Sequence, residues 1–142
     1  MYVFISYAGN DGLRYAKILE RILSSSHKTF LFEKDHSIQH GLYSQLGEAL
    51  YSCRIVAIII TQSSHTSKEQ EKEYNVACSF DKGVGIIKEN IEWGKFSMLT
   101  SREYKRFNDD NVEEKMNSFL ETINKLPEKV EASVADEGSE IV

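Results

Sequence analysis

The residue of this chain best placed to do chemistry is Glu73, within Ser67-Lys68-Glu69-Gln70-Glu71-Lys72-Glu73-Tyr74-Asn75-Val76-Ala77. The stretch reads as a helix opened by a capping box of Ser67 and Gln70. Glu73 shares a stripe with Glu69, Ala77 and Phe80 at helical spacing, and it flanks the apolar Tyr74, Ala77 and Cys78 rather than opposing them. A carboxylate at such an edge can accept a proton or stabilise a developing cation. The bland alternative is a solvated glutamate on a helix rich in Glu and Lys. The opening Val3-Phe4-Ile5-Ser6-Tyr7 is an apolar strand that stops abruptly at a small polar turn. Together the two segments place an acid beside a strand mouth, where an open α/β sheet binds ligands.

Other reactive side chains make weaker cases. His36 and His40 have a spacing that suits a metal only on a helix, and they lie in a polar loop with no supplementary Cys or His, so no metal site is expected. Cys78 reads as a small core residue on the inner face of its helix. Ser63-Ser64-His65 invites a triad, but serine runs ahead of a helix are usually linker. Trp93 is either a core aromatic or a stacking surface for a flat ligand.

The elements that must position these groups follow from hydrophobic periodicity. Tyr2 to Tyr7 is a buried strand, Ala8 to Gly12 a turn with Asn10 or Asp11 as N-cap, and Leu13, Ala16, Ile18, Leu19, Ile22 and Leu23 mark a helix. Thr29 to Phe32 is a second strand, and Glu33 to His40 a polar loop closing at Gly41. Leu42 to Ser52 is a helix with Leu42, Leu46, Ala49 and Leu50 inward. Arg54 to Ile60 is apolar almost without break, the mark of a central parallel strand covered on both faces. Val84 to Ile87 is a fourth strand and Phe96 to Leu99 a weak fifth. Val112 to Leu126 is a last helix with Val112, Met116, Phe119, Leu120 and Ile123 on one face, ended by Pro127, the only proline. Residues 128–142 are acidic, small and aperiodic and are expected to be a disordered tail. Strands alternating with helices imply a doubly wound parallel sheet with right-handed crossovers.

Bulk properties exclude several functions. The length suits one domain, and 41% hydrophobic with 27% charged residues is ordinary for a soluble globular protein. A net charge of −5, with Lys and Arg scattered, argues against nucleic acid as a partner. The longest apolar run, Ile55 to Ile60, is far short of the roughly 20 residues that span a bilayer. No secretory signal is visible, and the two cysteines, Cys53 and Cys78, form no CxxC, so a cytoplasmic, reducing setting is expected.

Among small α/β folds, a phosphoacceptor receiver needs aspartates at the first and third strand ends, where this chain has Ser6-Tyr7 and Thr61. GxxxxGK[ST] and GxGxxG are both absent. The residues instead resemble the Toll/interleukin-1 receptor (TIR) domain family. Phe4-Ile5-Ser6-Tyr7 matches its first-strand motif. Glu33-Lys34-Asp35 with Gly41 looks like its loop after the second strand. Ser52-Cys53-Arg54 to Thr61 resembles its third strand, and Ser67, Glu73 and Ala77 match its helix motif S-x-W-x-x-x-E-x-x-x-A. Glu92-Trp93 falls where some NAD-cleaving members carry an aromatic. The resemblance covers about residues 2–126. Glu69 stands where many members have tryptophan, and Ala8-Gly9-Asn10 replaces the basic residues that often follow the first strand.

The resemblance implies a flavodoxin-like three-layer sandwich, a five-stranded parallel sheet in order 2-1-3-4-5 with helices on both faces, over residues 1–127. It implies cleavage of the nicotinamide–ribose bond of NAD, with NAD as substrate and no cofactor. Glu73 would be catalytic, and Tyr7, Ala8, Glu33, Asp35, Glu69 and Trp93 would contact substrate. The product would be an ADP-ribose-derived nucleotide, and the short chain looks similar to the lone TIR proteins of antiphage systems such as Thoeris, which signal to a separate effector. Self-association with other TIR subunits, in filaments or otherwise, is also implied. The rival expectation is a non-catalytic adaptor, or a host-mimicking interaction module, acting through TIR–TIR contacts.

Overall fold

The computed structural model describes residues 1–31, 40–91 and 104–126. In chain order the elements are β1 (Tyr2–Ser6), α1 (Gly9–Leu23), β2 (Lys28–Leu31), α2 (His40–Ser52), β3 (Ile55–Ile60), a short 3-10 helix (Gln62–Thr66), α3 (Lys68–Ser79), β4 (Gly83–Lys88), β5 (Tyr104–Phe107) and α4 (Val112–Asn124). The strands form one sheet in the order β2-β1-β3-β4-β5, every pair parallel. All carboxyl ends therefore lie along one edge. From β1 the chain steps outward to β2 and then returns to the other side of β1 as β3, so the topological switch point lies between β1 and β3.

The period-two alternation of the strands divides the core into two layers. Val3 and Ile5 of β1 and Ile55, Ala57 and Ile59 of β3 pack with α1 and α4. Phe4 of β1 and Val56, Ile58 and Ile60 of β3 pack with α2 and α3. Every residue of β3 is buried, as its unbroken apolar run requires of a central strand. On α4, Val112, Met116, Phe119 and Ile123 are buried and Leu120 partly so. On α2, Ala49 and Leu50 are buried and Leu46 packs against them.

Several local expectations change. The first helix begins earlier than the Asn10 or Asp11 cap implied: Ala8 is its N-cap, in extended conformation and with no side-chain cap. Asp11 sits within the first turn, where its carboxylate serves the neighbouring connection instead. The buried stripe of α1 is Gly12, Tyr15, Ala16, Leu19 and Leu23. Leu13 is only half-buried, and Tyr15 is buried on that stripe. Gly41 does not close a loop; α2 already begins at His40. The first amide groups of a helix lack intrahelical partners, so a glycine is tolerated there. The proposed fifth strand at Phe96 to Leu99 lies outside the described residues; β5 is Tyr104–Phe107. Its mixed sequence Tyr-Lys-Arg-Phe gave no apolar run, because an edge strand needs to bury only part of its surface.

Among the described residues, Gly9 is the position where the chain demands glycine on two counts. Its φ is +68°, and a Cβ there would lie 2.4 Å from Ser63 Oγ and 2.7 Å from Ser63 Cβ. The tight approach lets the β1–α1 turn nest against the 3-10 helix. Gly9→Ala is expected to cost roughly 2–3 kcal/mol, the left-handed penalty plus displacement of Ser63, measured by denaturant unfolding. A change under about 0.5 kcal/mol would show that the turn does not close on Ser63.

Candidate functional site

The edge of the switch point is built by three segment ends. β1 ends at Ser6, β3 ends at Ile60, and α3 starts just after the 3-10 helix. Alternation along β1 puts Phe4 and Ser6 on the α2–α3 face. A hydroxyl at the last position of an otherwise apolar strand therefore points at α3, and Ser6 Oγ donates to Glu73 Oε1 at 2.8 Å. Ser6 is 1% exposed, and Glu73 is half-buried.

The sequence of α3 explains why Glu73 lands there. Ser67 is the N-cap and accepts from the Gln70 amide at 3.0 Å, stopping the helix at the strand edge. The buried stripe is Gln70, Tyr74 and Ala77. Glu73 lies beside that stripe, three residues after Gln70 and four before Ala77, so it meets the sheet rim as a half-buried residue. The capping box expected of Ser67 and Gln70 is only half made. Gln70 does not reach back; its Nε2 donates instead to the carbonyls of Ile59 at 2.8 Å and Ser6 at 3.2 Å. Burial decides this: the side chain is fully covered, and the strand-end carbonyls need donors there.

A second tie joins the β1–α1 and β3–α3 connections. Asp11 Oδ2 accepts from the Ser63 backbone amide at 3.2 Å. Burial alone would raise the Asp11 carboxyl, but hydrogen bonds from Ser63, Thr61 and Gly12 outweigh it and hold the group below the usual carboxylate range. A depressed folded-state pKa gives stability that is present above the unfolded value, near pH 4, and lost as pH falls through the folded value. Asp11→Asn is therefore expected to flatten the loss of stability below about pH 4. Parallel acid unfolding curves for the two proteins would remove Asp11 from that role.

The remaining candidates separate. Tyr7 packs against the core on the α1–α4 side of the sheet, the face opposite Glu73. Ala8 is 5% exposed and offers backbone only, its carbonyl accepting from the Gly12 amide. Glu69 is exposed in the first turn of α3, where a negative charge complements the helix dipole. Glu33, Asp35, His36 and Trp93 lie outside the described residues. Ser64 is buried and accepts from the Thr61 amide, while His65 is exposed, so the serine–histidine run has a structural use. Cys53 is buried and its thiol is pushed up to about 11 by desolvation; Cys78 is half-buried against the α2–α3 core. Among the described residues no group of His, Cys, Asp and Glu is arranged to hold a metal ion, and no helix is long and apolar enough to cross a membrane.

Sequence reasoning did not single out Ser6, Gln70 or Asp11 as parts of the site. The legible signal was polarity: Ser6 ends a strand whose other positions are apolar, and Gln70 stands on the inner stripe of a helix.

Comparison with known proteins adds a consistent picture. A family model for the TIR domain matches residues 3–121. No curated protein matches. Among solved structures, a 2-deoxyribosyltransferase from Bacillus psychrosaccharolyticus superposes with a TM-score of 0.59 at 16% identity, covering 84% of this chain and 96% of that one. A conserved protein from Enterococcus faecalis gives 0.56 at 9% identity, over 84% and 98%. The TIR domains of the activated Roq1 resistosome, which recognises the pathogen effector XopQ, give 0.51 at 14% identity, over 88% and 84%. At these identities the structural likenesses speak to the fold.

Proposed function

Because this chain belongs to the TIR domain family, we propose that it is an enzyme that cleaves the nicotinamide–ribose bond of NAD, with Glu73 as its acting group. The observation that carries the reading is the half-buried Glu73 carboxylate, fixed by Ser6 at the β1–β3 switch point where open α/β sheets receive ligands.

The chemistry asks little of the protein. When the bond between ribose C1′ and the nicotinamide nitrogen breaks, its electron pair stays on the nitrogen and neutralises the pyridinium. The leaving group departs neutral and needs no general acid, unlike an ordinary sugar leaving group. What remains is an oxocarbenium-like ribose. Glu73 stabilises it through charge and through hydrogen bonds to the ribose hydroxyls, and takes the proton that an incoming hydroxyl sheds. Ser6 donates to one carboxylate oxygen, Oε1, and so fixes the orientation of the group. Water as acceptor gives ADP-ribose; an adenine nitrogen or ribose hydroxyl of the same molecule gives a cyclised product. Either is an ADP-ribose-derived nucleotide suited to signalling, and antiphage defence with a separate effector is the role we assign it. A fold of this kind also serves a 2-deoxyribosyltransferase, so chemistry at a sugar–base bond is within its scope.

Glu33, Asp35, Glu69 and Trp93 complete the proposed substrate contacts, with Trp93 stacking on a base; Ala8 would contribute only backbone, and Tyr7, on the opposite sheet face, only from the strand end. Self-association would bring the Glu33–Gly41 segment of one subunit to the site of the next, and a head-to-tail contact of that kind builds open filaments. One observation favours the adaptor reading: Glu69, at the position where many members carry tryptophan, is exposed and offers no ring to a nucleotide.

The test is incubation of concentrated protein with NAD, followed by chromatography and mass spectrometry, beside Glu73→Ala. Nicotinamide release that vanishes in the variant supports the enzyme, and the mass of the second product names the acceptor. Release that persists in Glu73→Ala would mean that another group carries the chemistry, and none at any concentration with a crowding agent leaves the adaptor; either result overturns the reading.

A further inference from the structure

We propose that Gln70 is a positioning residue for Glu73: its buried carboxamide locks the first turn of α3 across the carboxyl ends of β1 and β3, and so sets the Ser6–Glu73 hydrogen bond. The inference rests on the reading of Glu73 as the acting group.

Three observations converge on it. The paired register of β1 and β3 ends at Ser6 and Ile58. At that point Gln70 Nε2 donates both its protons to main-chain carbonyls, one from each strand, Ser6 and Ile59. A side chain from α3 thus bridges the two strands where their ladder stops. Second, Gln70 is fully buried, and its Oε1 has no donor among the described residues. A buried carboxamide with an idle acceptor carries a desolvation penalty that an apolar side chain of the same length would avoid. Keeping glutamine there makes sense for what its two donors hold. Third, Gln70 and Glu73 lie three residues apart, on one side of α3, and both reach the same residue: Gln70 binds the Ser6 carbonyl, Glu73 the Ser6 hydroxyl. The Ser6 main chain and side chain are therefore pinned from two successive positions of one helix, which leaves α3 little freedom to rotate or slide against the strand ends.

Loss of the clamp would let Glu73 drift from the ribose-facing geometry without touching substrate itself. Small displacements of an acting group cost rate much more than binding.

The experiment measures nicotinamide release by the full chain for wild type, Gln70→Met, Ser6→Ala and the double variant, with melting curves run in parallel at matched folded fraction. The expected result is a fall in kcat of about 10- to 100-fold in Gln70→Met with KM within about threefold. In the Ser6→Ala background the same substitution should change kcat far less while lowering Tm just as much, since the path through Ser6 is already cut. A merely structural glutamine would lower Tm and give equal kcat losses in both backgrounds, and that overturns the proposal. Should Gln70→Met fail to fold, Gln70→Glu, which keeps one donor when protonated, takes its place in every arm. A second readout needs no activity: the NMR shift change at the Ser6 amide on Glu73→Gln, expected in the wild-type background and absent in the Gln70 variant. If wild type never releases nicotinamide, the enzymatic reading has failed; the NMR arm then still judges the clamp, and a shift change that survives the Gln70 substitution refutes it.

Discussion

Glu73→Gln is expected to lower nicotinamide release from NAD by about 1,000-fold or more while leaving the fold intact. Glutamine has the same shape and keeps an amide oxygen to accept from Ser6 Oγ, the 2.8 Å contact that holds the wild-type side chain. The substitution removes charge and basicity and little else. If the reaction proceeds through an oxocarbenium-like ribose, the loss falls on the transition state and on proton removal from the acceptor, so kcat drops while substrate affinity changes little. The stability change should stay within about 1 kcal/mol, because Glu73 lies at the margin of the α2–α3 core rather than in it. Single-turnover rates with labelled NAD, beside a melting curve, check both halves. A loss below tenfold would mean that another group carries the chemistry.

The second large effect concerns the scaffold. Phe4→Ala is expected to destabilise the protein by about 3–5 kcal/mol, the cost of removing a buried aromatic and leaving a cavity. Phe4 is 1% exposed and stacks on Phe30 of the neighbouring strand at 5.3 Å. It packs in the α2–α3 layer two residues before Ser6 on the same strand face. A cavity there lies directly beneath the strand end that Gln70 and Glu73 grip. The melting temperature should fall by roughly 10–20 °C, and surviving folded protein should turn over NAD more slowly than its folded fraction accounts for. A loss under about 1 kcal/mol would contradict the packing of α3 on β1.

Much of the architecture was legible because hydrophobic period and turn chemistry are local properties. The unbroken run from Ile55 to Ile60 announced a central parallel strand, and β3 is buried throughout. The stripe from Val112 to Ile123 announced one buried helix face, and α4 presents it to the sheet. β5 escaped notice because Tyr104–Phe107 is an edge strand of mixed composition, whose identity comes from pairing with β4. The start of α1 was misplaced because Asn10 and Asp11 look like caps by type; the bond from the Ser63 amide to Asp11 that redirects one of them spans two connections far apart in sequence.

The candidate site divides in the same way. Residue types and helical spacing brought out the edge position of Glu73, the Ser67 cap and an apolar strand closing on Ser6, and the family motifs told which of several glutamates to weigh. No periodicity could say that Ser6 and Glu73 would meet, since that depends on the β1 alternation and on where α3 crosses the sheet. Nor could it say that Gln70 would forsake its cap to bind Ser6 and Ile59. A side chain's local options are written in its neighbours along the chain. Which option wins is settled by burial: once the strand ends are covered, their carbonyls must find donors, and only the assembled fold decides which side chain stands within reach.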